Sequence, residues 1–423
     1  MRAALAADGD LSSALLPAPQ VAIAGAGIGG LTAALSLARI GLTVEIFEQA
    51  QQLEEAGAGI QLSPNATRVL IALGLGERLA TSVVAPQAIR VMNAGNGREI
   101  VRIPLGAQAQ ARYGAPFWVI HRADLQAALA DAVRAQDKIA LSLGTRVEDF
   151  TVASGGVTLQ TRRFGEPATH QCRMLIGADG LWSAVRAQLR RDTPPTFRHR
   201  TAWRALVPAA DLPPQWREPL VHLWLGRESH LVHYPVKGGA LVNIVAIAED
   251  EWQAAVWTAP GERSEVLRRF GRWDWAAPAR DLLAIPEQWS KWALHDRKNA
   301  HRGRGPVALL GDASHPMLPF LAQGAGMAIE DAATLAACLS QQPEKPARAL
   351  RLYEKQRRRR TERAQKTARQ QGRIYGRFGP EAGIRNLALR IMGGDKVLAR
   401  YDWVYDWQPP PVTQLPPPPQ PAV

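Results

Sequence analysis

Cysteine is almost missing from this sequence: Cys172 and Cys338 are the only two in 423 residues. Two thiols cannot build a disulfide framework or a four-ligand zinc site, and they suit a reducing compartment. Tyrosine and phenylalanine are thin as well, at 6 and 8 residues, against 13 tryptophans. Trp273, Trp275, Trp289 and Trp292 fall outside every motif below and read as core or interface packing. An unbroken hydrophobic span is also missing. Positions 11–38 carry no charge, which is long enough to cross a membrane, but Pro17, Pro19, Gly25, Gly27, Gly29 and Gly30 interrupt them. Asp8 and Asp10 follow the single basic Arg2 and fit a secretory signal poorly. The expectation is a soluble, cytoplasmic chain with no membrane partner and no bound metal, and no internal repeat is visible.

Negative charge falls short of positive, leaving a formal net charge of +13. The segment 345–400 holds 17 basic and 4 acidic residues and so contains the whole excess. A basic face covering the molecule would suggest nucleic acid or an anionic membrane. Confined to one segment, densest at 355–363, the charge reads as a solvated basic helix, with an anion or acidic partner as the alternative. No aromatic residue interleaves the charges from Lys355 until Tyr375, so a stacking platform for single strands is lacking and no nucleic-acid partner is expected.

With 46% apolar residues, the chain is longer than one hydrophobic core usually serves, and two associated domains are expected. The run at 21–24 reads as a buried strand, the glycines as a turn, 31–40 as a helix closed by Gly41, and 44–47 as a second strand ending at Glu48. That is a βαβ unit. Between 202 and 248 the pattern changes to short aromatic and β-branched runs separated by turn clusters, which predicts an antiparallel sheet. A strand at 307–310 and a helix at 326–339 return to the first fold. The predicted organisation is a loose extension (1–19), an α/β domain (20–200, with excursions), an inserted sheet domain (201–296), the α/β return (297–345), a basic helical region (346–407) and an extended proline-rich tail (408–423).

Gly25, Gly27 and Gly30 spell G-x-G-x-x-G at the strand-to-helix turn, with Ala26, Ile28 and Gly29 between them. The first glycine permits the tight turn, the second lets backbone approach a pyrophosphate, and the third packs helix on strand. The helix N-terminus favours the phosphates. Glu48 would accept hydrogen bonds from ribose hydroxyls and repel a 2′-phosphate, which points to the ADP-ribose of FAD or NAD. Farther on, Gly311-Asp312 ends a strand, and a loop with Pro316 and Pro319 leads to a glycine-rich helix start at Gly324, Ala325, Gly326 and Met327. Asp312 could bond a ribityl hydroxyl, and the free N–H groups of the helix would favour the negative edge of a reduced flavin. Asp179-Gly180 lies at another strand-to-helix turn.

These three segments, in this order, resemble the class A flavoprotein aromatic hydroxylases, the single-component FAD monooxygenases. The similarity runs from about residue 21 to 407. It looks closest to the salicylate 1-hydroxylase and 3-hydroxybenzoate 6-hydroxylase group, through GAGIQLSPNA (57–66), VIHRADLQAAL (119–129), HLVHYP (230–235), MLPFLAQGAGMAIEDA (317–332) and YDWVYDW (401–407). MLPFLAQGA and WALHDR (292–297) lean to the salicylate type. The resemblance implies a Rossmann-like FAD-binding domain with an inserted antiparallel-sheet substrate domain and C-terminal helices. It also implies FAD as cofactor, NADH or NADPH as transient reductant, O2 and a small aromatic acid as substrates, a flavin C4a-hydroperoxide as hydroxylating species, and a homodimer.

Residues implied to meet FAD include Gln49, Gly59, Ile60, Arg122, Val147, Asp179, Gly311 and Pro319. The segment 57–61 is expected to pass beside the flavin ring. His230 is the candidate base for the phenolic hydroxyl; on a strand it shares a face with Tyr234, and Gln323 corresponds to a position near substrate and flavin. Plainer readings stand beside these: a strand-edge hydrogen bond for His230, core packing for Tyr234, a loop amide for Gln323 and an interdomain salt bridge for Arg122. His315 reads as a loop brace or a ligand contact, and Arg204 is a weak candidate for a substrate carboxylate. Alternative functions are the same chemistry on a hydroxypyridine carboxylate or a larger polyphenol or polyketide, and a flavoprotein oxidase or reductase. A single G-x-G-x-x-G argues against a two-dinucleotide reductase.

Overall fold

The computed structural model describes residues 20–53, 58–190, 194–252, 258–271, 275–298 and 303–414. The 1–19 extension, Gly57, Trp273 and the proline tail past residue 414 lie outside the described residues.

The apolar run Val21–Ala24 is the middle strand of a five-stranded parallel sheet, ordered Val307–Leu309, Met174–Gly177, Val21–Ala24, Val44–Phe47, Ile139–Ser142. A central parallel strand is covered on both faces and needs apolar residues throughout. Alternation sorts them: Val21 and Ile23 pack with helices Ile28–Arg39 and Gly324–Gln341, and Ala22 and Ala24 pack with Val147, Val157 and Leu159. Those last three belong to an antiparallel sheet of Thr145–Ala153, Gly156–Arg163 and Glu166–Cys172.

The predicted antiparallel sheet is present and has eight strands, running from Thr258–Gly261 at one edge to Glu99–Pro104 at the other. Strand Ser229–Val236 lies inside it, between Leu241–Glu249 and Leu220–Gly226. Ala88–Asn93 and Glu99–Pro104 join it from much earlier in the chain, through a parallel pairing of Ala88–Asn93 with Leu220–Gly226. Since Val307–Leu309 pairs with Met174–Gly177, most of this sheet is inserted between two strands of the parallel one.

The basic segment forms a helix, Pro346–Tyr375, but the structure corrects its expected solvation. Ala349, Leu350, Tyr353, Arg357, Thr361, Ala364, Gln365, Ala368 and Gly372 are buried at three- and four-residue steps, the spacing of one helix face. Arg357 is therefore inside the protein, paired with Glu330 and Asp331. Both cysteines are buried and free. Among the described residues, no helix is long and apolar enough to cross a membrane.

One buried cluster makes a prediction about acid. His222 and His233 stack with ring centroids 4.4 Å apart, beneath Trp216, and the Trp224 indole N–H donates to His233 Nε2 at 3.2 Å. Burial, reinforced by Arg90, lowers the His222 pKa to about 4, and burial lowers that of His233 well below the usual value. In the unfolded chain both titrate near 6.5. Between these values the unfolded state binds protons that the folded state refuses, so stability is full above about pH 6.5 and falls as pH drops toward 4. His222 is expected to cost about 2 kcal/mol between pH 7 and pH 5, and His233 acts in the same direction. Denaturant titrations at both pH values on the parent and on His222→Asn check this: the variant should lose less stability across the interval.

Candidate active site

The glycine turn is shaped by three separate constraints. Gly25 has φ +104°, and a Cβ there would stand 2.5 Å from the Ala178 carbonyl oxygen. A Cβ on Gly30 would stand 2.0 Å from the Gly25 carbonyl oxygen, so the first helical turn rests directly on the strand end. Gly27 has nothing within 4 Å of its missing Cβ and faces open space. The Ala26 N–H donates to Glu48 Oε2 at 2.7 Å and the Ala50 N–H to Oε1 at 2.9 Å. The carboxylate is thus clamped across the turn. Ile28 is buried, and a Cβ on Gly29 would stand 2.7 Å from the Leu310 side chain, so these two pack the helix rather than face the cleft.

In front of the turn lies a cleft of about 590 Å³, within the usual range for cofactor sites. Gly25, Gly27, Glu48, Gln49, Val147 and Asp179 line it, and Arg122, Arg204, Trp292, Asp312 and Pro319 complete it. Asp179 accepts hydrogen bonds from the Ser183 hydroxyl (2.5 Å) and the Val185 N–H (3.1 Å), so it caps helix Ala184–Leu189 as well as bordering the cleft. Asp312 is reached by solvent through the cleft but is surrounded by protein, and burial raises its pKa against the opposing charges of His315 and Arg122.

Arg122 opens helix Arg122–Arg134. The Arg204 guanidinium stacks 4.9 Å from the Trp292 ring, and its Nε is buried without a hydrogen-bond partner. Burial, with Arg122 adding like-charge repulsion, brings the Arg204 pKa down to about 10. Three arginines, Arg122, Arg146 and Arg204, border the cleft with three carboxylates, Glu48, Asp179 and Asp312, a mixed lining that suits an occupant carrying both anionic groups and hydroxyls. Trp292 and Arg204 thus both border this cleft, where the sequence reading had put one among packing residues and the other near a substrate.

A second cavity of about 100 Å³ adjoins the first, and Pro319 borders both. Its polar lining comes from Gln61, His230, Gln323, Tyr375, Tyr401 and Tyr405, with apolar walls from residues such as Ile89, Ile103 and Leu223. No lysine, arginine, aspartate or glutamate is among its lining residues. His230 is buried, its Nδ1 has no partner, and burial with the nearby Arg200 charge lowers its pKa to about 3. It stands as a neutral imidazole at pH 7.

The structure separates Tyr234 from this cavity: its ring packs against Gly59, where a Cβ would stand 2.6 Å from Tyr234 Cε2. Strand alternation places His230 and Tyr234 on one face, but the strand Gly59–Leu62 covers the far end of that face. Gly59 N–H bonds Asn243 Oδ1 at 2.7 Å, and Ile60 packs on the helix-side core. Neither is among the residues lining these two cavities.

Gln323 is buried in the cavity wall. Its amide nitrogen donates to Ser63 Oγ at 2.8 Å, and its oxygen accepts from Asn65 Nδ2 at 3.1 Å. The loop amide thus binds side chains rather than backbone. Gly311 sits at φ +60°, and its N–H donates to Asp331 Oδ2 at 3.0 Å. His315 bonds the same oxygen at 2.6 Å and braces the loop. Gly324 has open space at its Cβ, whereas Met327 is fully buried; with Ala325 and Gly326 they form the helix start. Ser63, Asn65, Tyr375, Tyr401 and Tyr405 had no assigned role in the sequence reading. The available signal was membership of the stretches 57–66 and 401–407 for four of them, and none marked Tyr375.

A family model described as an FAD binding domain matches residues 18–368. A 3-hydroxybenzoate 6-hydroxylase of Klebsiella oxytoca is 38% identical to this chain, covering 91% of it and 96% of the relative. A 3-amino-4-hydroxybenzoate 2-monooxygenase of Streptomyces platensis is 37% identical, covering 93% and 97%. The solved structure of a salicylate hydroxylase substrate complex superposes with a TM-score of 0.77 at 27% identity, covering 92% of this chain and 96% of that one. With a glycine turn, a clamped acid and a cation-bordered cleft that opens on a ring-sized cavity, this chain belongs to the FAD-binding flavoprotein family and is an FAD-dependent aromatic hydroxylase.

Proposed function

We propose that the protein hydroxylates a single-ring phenolic acid of the 3-hydroxybenzoate type, using NADH or NADPH and O2. The observation that carries this reading is the second cavity: it is small, it gathers His230, Gln323 and three tyrosines whose hydroxyls can donate to a carboxylate, and it meets the larger cleft at Pro319. A 150 Å³ apolar cavity holds benzene, so a cavity of about 100 Å³ is of the scale of a single ring and favours one over a polyphenol or polyketide. The identity to the 3-hydroxybenzoate 6-hydroxylase supports the substrate type, and the likeness to the salicylate hydroxylase complex favours salicylate as the second reading.

FAD, when bound, accepts electrons from the nicotinamide and activates oxygen. The residues fit it. The Gly25–Gly30 turn would hold the pyrophosphate at a helix N-terminus, Glu48 would accept from the ribose, and Asp312 would accept from a ribityl hydroxyl. Arg122 and the N–H groups of the Gly324–Met327 helix start would stabilise negative charge on the reduced flavin. Gln49, Val147, Asp179 and Pro319 border the same cleft.

His230 holds the phenol. An imidazole with a pKa lowered to about 3 does not take the proton of a phenol outright, since an ordinary phenolic pKa near 10 lies far above it. It accepts a hydrogen bond from the phenolic O–H instead, which raises electron density on the ring as oxygen transfer begins. The three tyrosines and the apolar walls exclude water.

Nicotinamide oxidation and O2 uptake, followed with 3-hydroxybenzoate, salicylate and 6-hydroxynicotinate and with products identified, test this function. The expected result is stimulation by 3-hydroxybenzoate with gentisate formed. Catechol and carbon dioxide from salicylate would select the second reading. Bound FAD with no compound stimulating turnover would overturn the substrate class.

A further inference from the structure

Gln323 belongs to a closed ring of hydrogen bonds. Its amide nitrogen donates to Ser63 Oγ (2.8 Å), the Ser63 hydroxyl donates to Asn65 Oδ1 (2.5 Å), and Asn65 Nδ2 donates to Gln323 Oε1 (3.1 Å). All three side chains are buried. Such a ring could run in either sense, because hydroxyls and amides both donate and accept. One group outside it removes the choice. Asn65 Nδ2 also donates to Glu330 Oε1 at 2.6 Å, and an ionised carboxylate only accepts. Glu330 therefore forces Asn65 to present its NH2 on that side and its carbonyl to Ser63. That in turn leaves the Ser63 oxygen to accept from the Gln323 nitrogen.

Glu330 is itself held as an ion. Arg357 Nη1 and Arg360 Nε reach its Oε2 at 2.6 and 2.5 Å, and Arg360 Nη2 reaches Oε1 at 2.7 Å. Glycine at 326 makes room: a Cβ there would stand 2.8 Å from Gln323 Oε1 and 3.4 Å from Asn65 Nδ2. Arg360 also donates to the Val404 carbonyl at 2.9 Å, in the segment that supplies Tyr401 and Tyr405 to the ring cavity. Two walls of that cavity are thus tied to one buried carboxylate.

We propose that Asn65, oriented by Glu330, is a positioning residue that locks the Gln323 amide in one orientation at the cavity wall, and that this orientation keeps oxygen transfer directed to the ring. The proposal rests on the hydroxylase reading above. Each turnover takes two electrons from the nicotinamide into O2. In the coupled reaction one oxygen atom is inserted into the aromatic C–H bond and the other leaves as water. In the uncoupled reaction both oxygens leave as hydrogen peroxide. A Gln323 free to flip exchanges donor for acceptor towards the substrate, misplaces the ring, and shifts flux to peroxide.

The test is a double-mutant cycle of Asn65→Ala and Gln323→Ala, with Ser63→Ala as a second way to open the ring. Three quantities are read on the FAD-loaded protein: product formed per nicotinamide oxidised, the aromatic Kd from the flavin absorbance change, and FAD content. Asn65→Ala is expected to lower the coupled fraction about fivefold and to raise the Kd, with FAD content held; contacting residues show interaction energies of this order. In the Gln323→Ala background the same change should add almost nothing. Full coupling in both Asn65→Ala and Ser63→Ala, or effects that multiply with Gln323→Ala, overturns the proposal. A parent protein that binds FAD but answers to no aromatic acid defeats the substrate reading instead.

Discussion

Arg357→Ala is expected to destabilise the protein by about 3–5 kcal/mol, the cost of leaving buried carboxylates without their partner. The Arg357 guanidinium reaches Asp331 Oδ1 at 2.5 Å, Glu330 Oε2 at 2.6 Å and the Met327 carbonyl at 3.2 Å. Glu330 and Asp331 are both fully buried. Glu330 keeps Arg360, while Asp331 loses the Arg357 ion pair and retains His315 and the Gly311 N–H. Since Gly311 begins the loop that carries Asp312 and Pro319, FAD retention should fall along with the denaturant midpoint.

The neighbouring Arg358→Ala is the control. Arg358 pairs with Glu362 on the solvent side of the helix, with both side chains about half exposed, and such pairs contribute roughly 0.5 kcal/mol or less. Equal effects of the two substitutions in urea titrations would show that the helix is solvated on both faces and that the buried pairing contributes nothing.

Gly27→Ala and Gly30→Ala, three residues apart in one motif, are expected to fail in different ways. A Cβ on Gly30 meets a backbone oxygen at 2.0 Å, and backbone cannot swing aside as a flexible side chain can. Gly30→Ala should therefore displace the helix from the strand and lower both stability and soluble yield. Gly27 has φ −70° and ψ 177°, a conformation open to any residue, and empty space where its Cβ would stand. Gly27→Ala should fold with an unchanged circular dichroism spectrum, yet weaken FAD binding by about 100-fold, or about 2.7 kcal/mol. The methyl group would occupy the position that lets pyrophosphate approach the backbone. Flavin fluorescence titration of the apoprotein measures that loss directly. Tight FAD binding by the Gly27 variant would place the pyrophosphate elsewhere.

The nucleotide half of the site was legible because its information is local. A buried strand, a glycine turn, a helix and a terminal acid lie within 28 consecutive residues, from Val21 to Glu48. Each is specified by near neighbours: Gly25 by its positive φ, Gly30 by contact with Gly25, Glu48 by a hydrogen bond to Ala26. The return strand and the Gly324 helix were legible for the same reason, as was the alternation of an antiparallel sheet. Local patterning also gave a wrong impression in one place. Seventeen basic residues in 345–400 suggest a solvated helix, and most of that helix's outer face is one. The i, i+3, i+4 stripe beneath it includes Arg357, and an arginine on an otherwise apolar stripe does not announce the carboxylates waiting for it.

By itself, then, the sequence determined the dinucleotide-type fold, the inserted sheet and the local geometry of the glycine turn and its acid. Only the tertiary structure decided which side chains line the smaller cavity. His230, Gln323, Tyr375 and Tyr401 come to one cavity from a strand, a loop, the end of a helix and the turn between two helices. The bond that orients Gln323 spans 258 residues, and the one that orients Asn65 spans 265. Separations of that size leave no periodicity to read, because such contacts exist only after the elements have packed. The same packing moved Tyr234 out of the cavity its strand face had suggested and set Arg204 against Trp292 in the cofactor cleft. It also held His230 as a neutral acceptor, since desolvation is a property of the folded surroundings and not of the residue.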